Sequence, residues 1–264
     1  MKIVFLGTSK FSKFYLDALV QAGHEVGTNL NKFSPDLGVI AYYGKILPGE
    51  TLKIPKMGFI NVHHSLLPRW RGPSPIQAAI LAGDIETGVT ISLVTLKVDA
   101  GDIIAQEKIA IGPGDTYLDL EKKLCEIGAP LLTKTVELIA KGKMATQPQD
   151  NSKATYSKII KTQDGQIDWS RNTEEILRKV RALNPNPGTF TFFNAKRLIV
   201  SEAETQKKNH ELSPGTVMKE GSSFKIATPD GFLIPKRVKL EGRKELAAED
   251  FFSGRKEIIG AILS

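Results

Sequence analysis

Short apolar runs that alternate with helical patterns constrain this chain more than any other feature. Residues 2–6, 37–42 and 59–63 are apolar runs of strand length, too short for helices and bounded by turn residues. Residues 11–22 carry apolar side chains at helical spacing and stop at Gly23, and residues 76–82 read as a short helix. Two β-rich runs follow, 89–96 and 103–109, separated by the turn Asp99-Ala-Gly-Asp102. A long helical pattern over 116–140 ends at Lys141-Gly-Lys143. Strands interleaved with helices predict an α/β fold whose sheet is mostly parallel.

The pattern changes after Gln147-Pro-Gln-Asp-Asn-Ser152, a polar segment with proline and no periodicity, which marks a domain boundary. We read residues 1–150 as one domain, 151–163 as a linker and 164–264 as a second domain. One helix is expected over 174–183, with Ile176, Leu177, Val180 and Leu183 on a face. Beyond Asn184-Pro-Asn-Pro-Gly188 come short strands at 190–193, 198–200, 216–218, 224–227 and 233–240, punctuated by glycine and proline as in a small β-barrel.

Charge separates the same two parts. Residues 1–150 hold 16 Lys/Arg against 15 Asp/Glu, and residues 151–264 hold 20 against 14, so almost all of the net +7 belongs to the second part. That surplus suits a phosphate-rich partner, and equally a solvated surface. Residues 2–6 are too short for a signal or membrane segment and nothing elsewhere reaches spanning length, so a cytoplasmic protein is expected, with a monomer as the default. Cys125 has no second cysteine to pair with and falls in a helical pattern, as expected of a packed core thiol. Gly7-Thr8-Ser9 lacks the further glycines of a dinucleotide loop.

Asn61 and His63 close an apolar run, two residues apart, so a strand points both side chains the same way and His64 the other. A carboxamide, an imidazole and a carboxylate from Asp99 can run acyl transfer: the amide donates to a developing oxyanion, the imidazole moves a proton, and the carboxylate orients it. The alternative is a strand-end Asn and His satisfied by backbone. No recognised metal-ligand spacing occurs, and none is expected to matter.

Ala41-Tyr-Tyr-Gly-Lys-Ile-Leu-Pro48 and Ile60-Asn-Val-His-His-Ser-Leu-Leu-Pro-Arg-Trp-Arg-Gly72 are followed in order by Gly83-Asp-Ile-Glu-Thr-Gly-Val-Thr-Ile91, Val98-Asp-Ala-Gly-Asp-Ile103, Asp164-Gly-Gln-Ile-Asp-Trp-Ser170 and Arg181-Ala-Leu-Asn-Pro185. Through these segments the chain resembles the 10-formyltetrahydrofolate-dependent formyltransferases. The resemblance implies a Rossmann-like formyltransferase domain followed by an OB-like barrel, with Asn61, His63 and Asp99 as the catalytic trio. It implies binding of the formyl donor, 10-formyltetrahydrofolate, by Ser65, Leu66, Leu67 and Pro68, with Tyr42, Gly44, Ile46 and Leu47 lining the pterin pocket.

Within that family the resemblance points to members that formylate methionyl-tRNA for translation initiation. Arg69 and Arg71, which flank Trp70, read either as a solvated turn or as contacts to a polyanion or stacked base. Lys236, Arg237, Lys239 and Arg243 read either as a solvated face or as a patch that tracks the tRNA backbone. Two rivals remain: a formyltransferase acting on an amino-sugar nucleotide, and a non-catalytic relative that binds RNA. The second is motivated by a departure, since only Gly27 to Phe33 stand where the family carries a basic loop, a helix and further strand residues. His64 is the other departure, where the family has a small residue.

Overall fold

The computed structural model describes residues 1–30 and 33–264; Asn31 and Lys32, inside the short segment after Gly27, lie outside the described residues. Two compact units emerge. One comprises Met1–Ala79, Asp84–Pro113 and Leu118–Ile159, and the other Ile80–Gly83, Gly114–Tyr117 and Ile160–Ser264.

The first unit carries β1 (Lys2–Leu6), α1 (Ser12–Gln21), β2 (Glu25–Gly27), β3 (Leu37–Ala41), α2 (Gly49–Leu52), β4 (Phe59–His63), α3 (Pro75–Ala82), β5 (Glu86–Leu93), β6 (Ile103–Ala110) and α4 (Tyr117–Ala140). Its sheet runs β2-β1-β3-β4-β5-β6. The first four strands are parallel, and their inner members β1, β3 and β4 are buried almost throughout. Strands covered on both faces are continuously apolar, which is why these runs show no alternation. β5 is antiparallel to both β4 and β6. Only residues 94–102 join β5 to β6, too few for a parallel crossover, so a hairpin forms and its tip carries Asp99. Leu30 and Phe33 pack against Val4, Leu6, Ile40 and Phe59.

In the second unit α5 (Thr173–Leu183) precedes β7 (Phe190–Phe193), β8 (Lys196–Lys207), β9 (Val217–Glu220), β10 (Ser223–Thr228), β11 (Gly231–Leu240), β12 (Glu245–Ala247) and α6 (Ala248–Ser253). All pairings are antiparallel in the order β7-β8-β11-β10-β9, with β12 on β11. α5 starts where the Asn172 side chain accepts from the Glu175 amide at 2.8 Å and the Asp230 carboxylate accepts from the Thr173 amide at 2.8 Å. Its apolar face (Ile176, Val180) joins Leu198, Val200, Phe224, Leu233 and Phe251 in one core. β8 extends well past the three residues expected of it, because its second half, too polar to read as strand, pairs with residues 231–237 of β11. Register shifts around Arg237 mark a bulge. The bulge leaves Lys236 and Arg237 exposed side by side while Pro235 and Val238 stay buried. Among the described residues no helix is long and apolar enough to cross a membrane.

Strand alternation sends His64 into the first unit's interior. Its Nε2 shares a 2.7 Å hydrogen bond with the Tyr15 hydroxyl of α1. The ring stacks on Tyr42 at 4.5 Å between centroids, and the Tyr42 hydroxyl lies 3.5 Å from the Cys125 thiol of α4. Burial, with the neighbouring His63 adding to it, pushes the His64 pKa down to about 3, and burial pushes the Tyr15, Tyr42 and Cys125 pKa values up. These groups are therefore neutral at physiological pH and tie α1 and α4 to the sheet.

The His64 pKa makes stability pH-dependent. An unfolded histidine titrates near 6.5. Between that pH and about 3 the unfolded chain holds a proton that the native chain refuses. Stability from this group is complete above the unfolded pKa and is lost as pH falls through the window. Urea unfolding of wild type and His64→Gln from about pH 4 to 7 is expected to show wild type losing stability relative to the variant only below about pH 6.5, by roughly 1 kcal/mol per pH unit. Parallel pH curves for the two proteins would contradict it.

Candidate functional site

β4 ends the parallel part of the sheet, and ligand crevices of open α/β sheets lie at the carboxyl ends of such strands. Asn61 and His63 project there on one side. Asp99 reaches them from the tip of the β5–β6 hairpin, in a left-handed conformation (φ 50°) that an aspartate tolerates better than most residues. The hairpin closes tightly behind it: a Cβ on Gly101 would stand 1.8 Å from the Leu93 carbonyl oxygen, so only glycine fits.

The Asp99 carboxylate is the centre of the group. Its Oδ1 accepts from Asn61 Nδ2 at 3.2 Å and faces His63 Nδ1 at 3.6 Å, while Oδ2 accepts from the Gly72 amide at 2.8 Å. His63 Nε2 donates to the Trp70 carbonyl at 2.9 Å. A carbonyl can only accept, so this bond puts a proton on Nε2 and leaves Nδ1 on the Asp99 side. His63 is 6% exposed, and so largely shielded from water.

The corner 69–72 supplies both Trp70 O and Gly72 N. Asp84 accepts from Arg69 Nε (2.8 Å), Arg69 Nη2 (2.5 Å) and Trp70 Nε1 (2.7 Å). The Arg69 guanidinium also lies 4.5 Å over the indole. On the other flank Thr155 Oγ1 accepts from the Trp70 amide at 2.9 Å, and the Thr155 carbonyl accepts from the Arg71 amide at 2.9 Å.

The structure brings Asn61, His63 and Asp99 together and corrects other readings. Arg71 is 4% exposed, with its guanidinium donating to Gln149 Oε1 and Asn151 Oδ1, so it is an interior residue and not a surface contact for substrate. Arg69 is partly exposed but shares its fork with Asp84. Tyr42 is half-buried, with its ring stacked on His64 and its hydroxyl beside the Cys125 thiol. Ser65 and Leu67 are buried. Ser65 Oγ donates to the Arg69 carbonyl at 2.6 Å, and Thr90 and Gln106 take up the Leu67 backbone, making both scaffold. Leu66 and Pro68 are half-buried, Gly44 is exposed, Ile46 is 82% exposed, and Leu47 packs on the cluster of Val4, Leu6, Ile40 and Phe59, as Val94 also does.

Lys236, Arg237, Lys239 and Arg243 are exposed in the second unit, with Lys236 paired to Glu204 at 2.8 Å and Arg237 to Glu245 at 2.9 Å. Gln149, Thr155 and Asp84 escaped the sequence reading. The first two sit in a stretch without periodicity, and the third looks like an ordinary turn acid. Among the described residues no cluster of three or more His, Cys, Asp or Glu is placed to hold a metal ion.

Residues 1–136 match the family described as formyl transferase, and residues 159–256 match the formyl transferase C-terminal domain. A methionyl-tRNA formyltransferase of Geotalea daltonii is 39% identical over 240 residues, covering 90% of this chain and 76% of the relative. One from Roseiflexus castenholzii is 40% identical over 227 residues, covering 86% and 72%. Solved structures share the fold at lower identity. HypX from Aquifex aeolicus, in complex with tetrahydrofolic acid, has a TM-score of 0.76 at 20% identity, covering 98% of this chain and 48% of that one. Methionyl-tRNA formyltransferase from Clostridium thermocellum has a TM-score of 0.64 at 18% identity, covering 91% and 98%. With both parts of the family matched in order, and with identity of this level across most of its length, the chain belongs to the formyltransferase family, in the branch of the methionyl-tRNA formyltransferases.

Proposed function

We propose that this chain transfers the formyl group of 10-formyltetrahydrofolate to the α-amino group of methionyl-tRNA, the modification that prepares the initiator for translation. The observation that carries the reading is the Asp99 carboxylate joined to Asn61 and set against His63 in a chain 39% identical to methionyl-tRNA formyltransferases.

The residues present fit a folate. Ile46 is 82% exposed and Leu96 77% exposed, and both flank loops whose neighbours Leu47 and Val94 share one apolar cluster. Exposed apolar side chains on loops beside a polar trio suit a flat heterocycle with a reactive end. Gly44, Ile46 and Leu47 would hold the pterin, and Leu66 and Pro68 its continuation.

The donor supplies an activated formyl group; the protein supplies charge and proton management. Asn61 gives one amide N–H to Asp99 and keeps a second for the negative charge that develops on the formyl oxygen. His63, with its Nε2 proton committed to Trp70 O, turns Nδ1 toward Asp99, so a proton leaving the attacking amine is held between imidazole and carboxylate. It is then delivered to the departing folate nitrogen. One N–C bond forms at the amine, one breaks at the folate, and the amine proton ends on the leaving nitrogen. Residues 164–264, which carry the exposed cations, are the tRNA-binding part in this reading, and residues 1–150 the catalytic part.

Formyl transfer to methionyl-tRNA is the direct assay. Asn61→Ala is expected to lower kcat by about 100- to 1000-fold, and His63→Ala by about 100-fold or more. Full activity in both variants would overturn the site. Activity on a small amino-sugar nucleotide with none on tRNA would move the reading to the other substrate class.

The Lys239→Ala/Arg243→Ala double variant is expected to raise KM for methionyl-tRNA with kcat unchanged. It should also flatten the dependence of log KM on log salt by about one unit per lost phosphate contact. An unaltered salt slope would remove these two residues from the tRNA interface.

A further inference from the structure

Residues 147–157 lie between the two stretches that match the family, 1–136 and 159–256. They nevertheless fold against the trio. Gln147 bridges to Ile103 at the start of β6, and Tyr156 pairs with Arg71. Between these points Gln149 is 8% exposed and uses its entire amide. Its Oε1 accepts from Arg71 Nε at 3.1 Å and Arg71 Nη2 at 2.7 Å. Its Nε2 donates to the Asp99 carbonyl at 3.0 Å and the Gly101 carbonyl at 2.6 Å. The orientation of this amide is fixed by chemistry, because a guanidinium only donates and a carbonyl only accepts.

Gln149 therefore joins two pieces of chain that the Asp99 side chain also spans. One is the left-handed hairpin tip that carries the carboxylate. The other is the corner around Arg71, whose neighbours offer Gly72 N to Asp99 and Trp70 O to His63. A shift of the tip away from the corner would alter the Asp99 contacts to Asn61, His63 and Gly72 together.

We propose that Gln149 is a positioning residue for formyl transfer, holding Asp99 at the distance from which it serves Asn61 and His63. The proposal rests on the reading of Asp99 as part of the reacting trio. It makes the segment between the two family-matched regions a structural member of the active site and not a passive tether.

The discriminating variant is Gln149→Glu. Glutamate still accepts from Arg71, with an added charge pair, but presents oxygen to the Asp99 and Gly101 carbonyls where the amide presented hydrogens. If Gln149 merely keeps Arg71 satisfied, Gln149→Glu behaves as wild type. If it positions Asp99, kcat falls about 10- to 100-fold while KM for both substrates stays nearly constant.

Gln149→Asn, which keeps both chemical groups on a shorter stem, is expected to show the same split and decides the matter should the glutamate variant fail to fold. A second readout is independent of turnover. The chain has four histidines, so the ring nitrogen resonances of His63 can be followed against those of His24 and His210. Displacement of the His63 signals alone in either variant supports the proposal. Wild-type kcat and unmoved His63 signals in both variants overturn it. A wild type without transfer activity would end the reading of the reaction, and the His63 resonances would then still judge whether Gln149 sets the Asp99 geometry.

Discussion

The Asp99 carboxylate must be satisfied away from bulk water, and three separate stretches of chain meet to do it: the end of β4 through Asn61 and His63, the corner after Pro68 through the Gly72 amide, and its own hairpin tip. A carboxylate with little solvent access is tolerated only when such partners surround it. Each partner here is a donor or a ring that takes a proton, so the arrangement that satisfies the charge is also the one that can move a proton. Much of the first unit serves this junction. The short β5–β6 connection forces a hairpin, Gly101 lets its strands close behind the tip, and Asp84 and Thr155 hold the corner from two sides.

One strand separates two chemistries. His63 and His64 are adjacent, yet period-two alternation sends them to opposite faces. His63 meets Asp99 and a carbonyl, partners that suit a ring exchanging protons. His64 meets Tyr15 and the ring of Tyr42 in an interior that keeps it neutral, where it acts as a polar pin between helices and sheet. The neutral neighbour adds no positive charge beside the reacting one.

The second unit handles charge differently. Its core is an antiparallel sheet sealed by α5 and α6, and its cations sit on outward positions of β11 and the turn after it. The bulge near Arg237 lets two consecutive basic residues face solvent, which strict alternation would forbid. Both are paired with acids, at 2.8 and 2.9 Å, so a polyanion approaching them would exchange one ion pair for another. Lys239 and Arg243 are the more direct handles.

Local structure and the chemistry of the reacting groups were legible in the order of the amino acids. The apolar runs at 2–6 and 59–63 became β1 and β4 because an unbroken apolar run of that length, bounded by turn residues, suits a strand buried on both faces, and alternation assigned His63 and His64 to opposite faces. Asn61, His63 and Asp99 stood out through resemblance, and tertiary structure supplied their meeting. Tertiary structure alone decided which polar residues point inward. Arg71 read as a surface cation, yet it is buried against Gln149, 78 residues away. Tyr42 stacks on His64 and meets Tyr15 of α1 and the Cys125 thiol of α4, contacts that no local pattern announces. Residues 147–152 read as a boundary because they lack periodicity. Periodicity records only which side of an element faces the core, whereas an irregular segment held by side-chain amides to a distant turn leaves no periodic trace. Its partners exist only once the chain has folded.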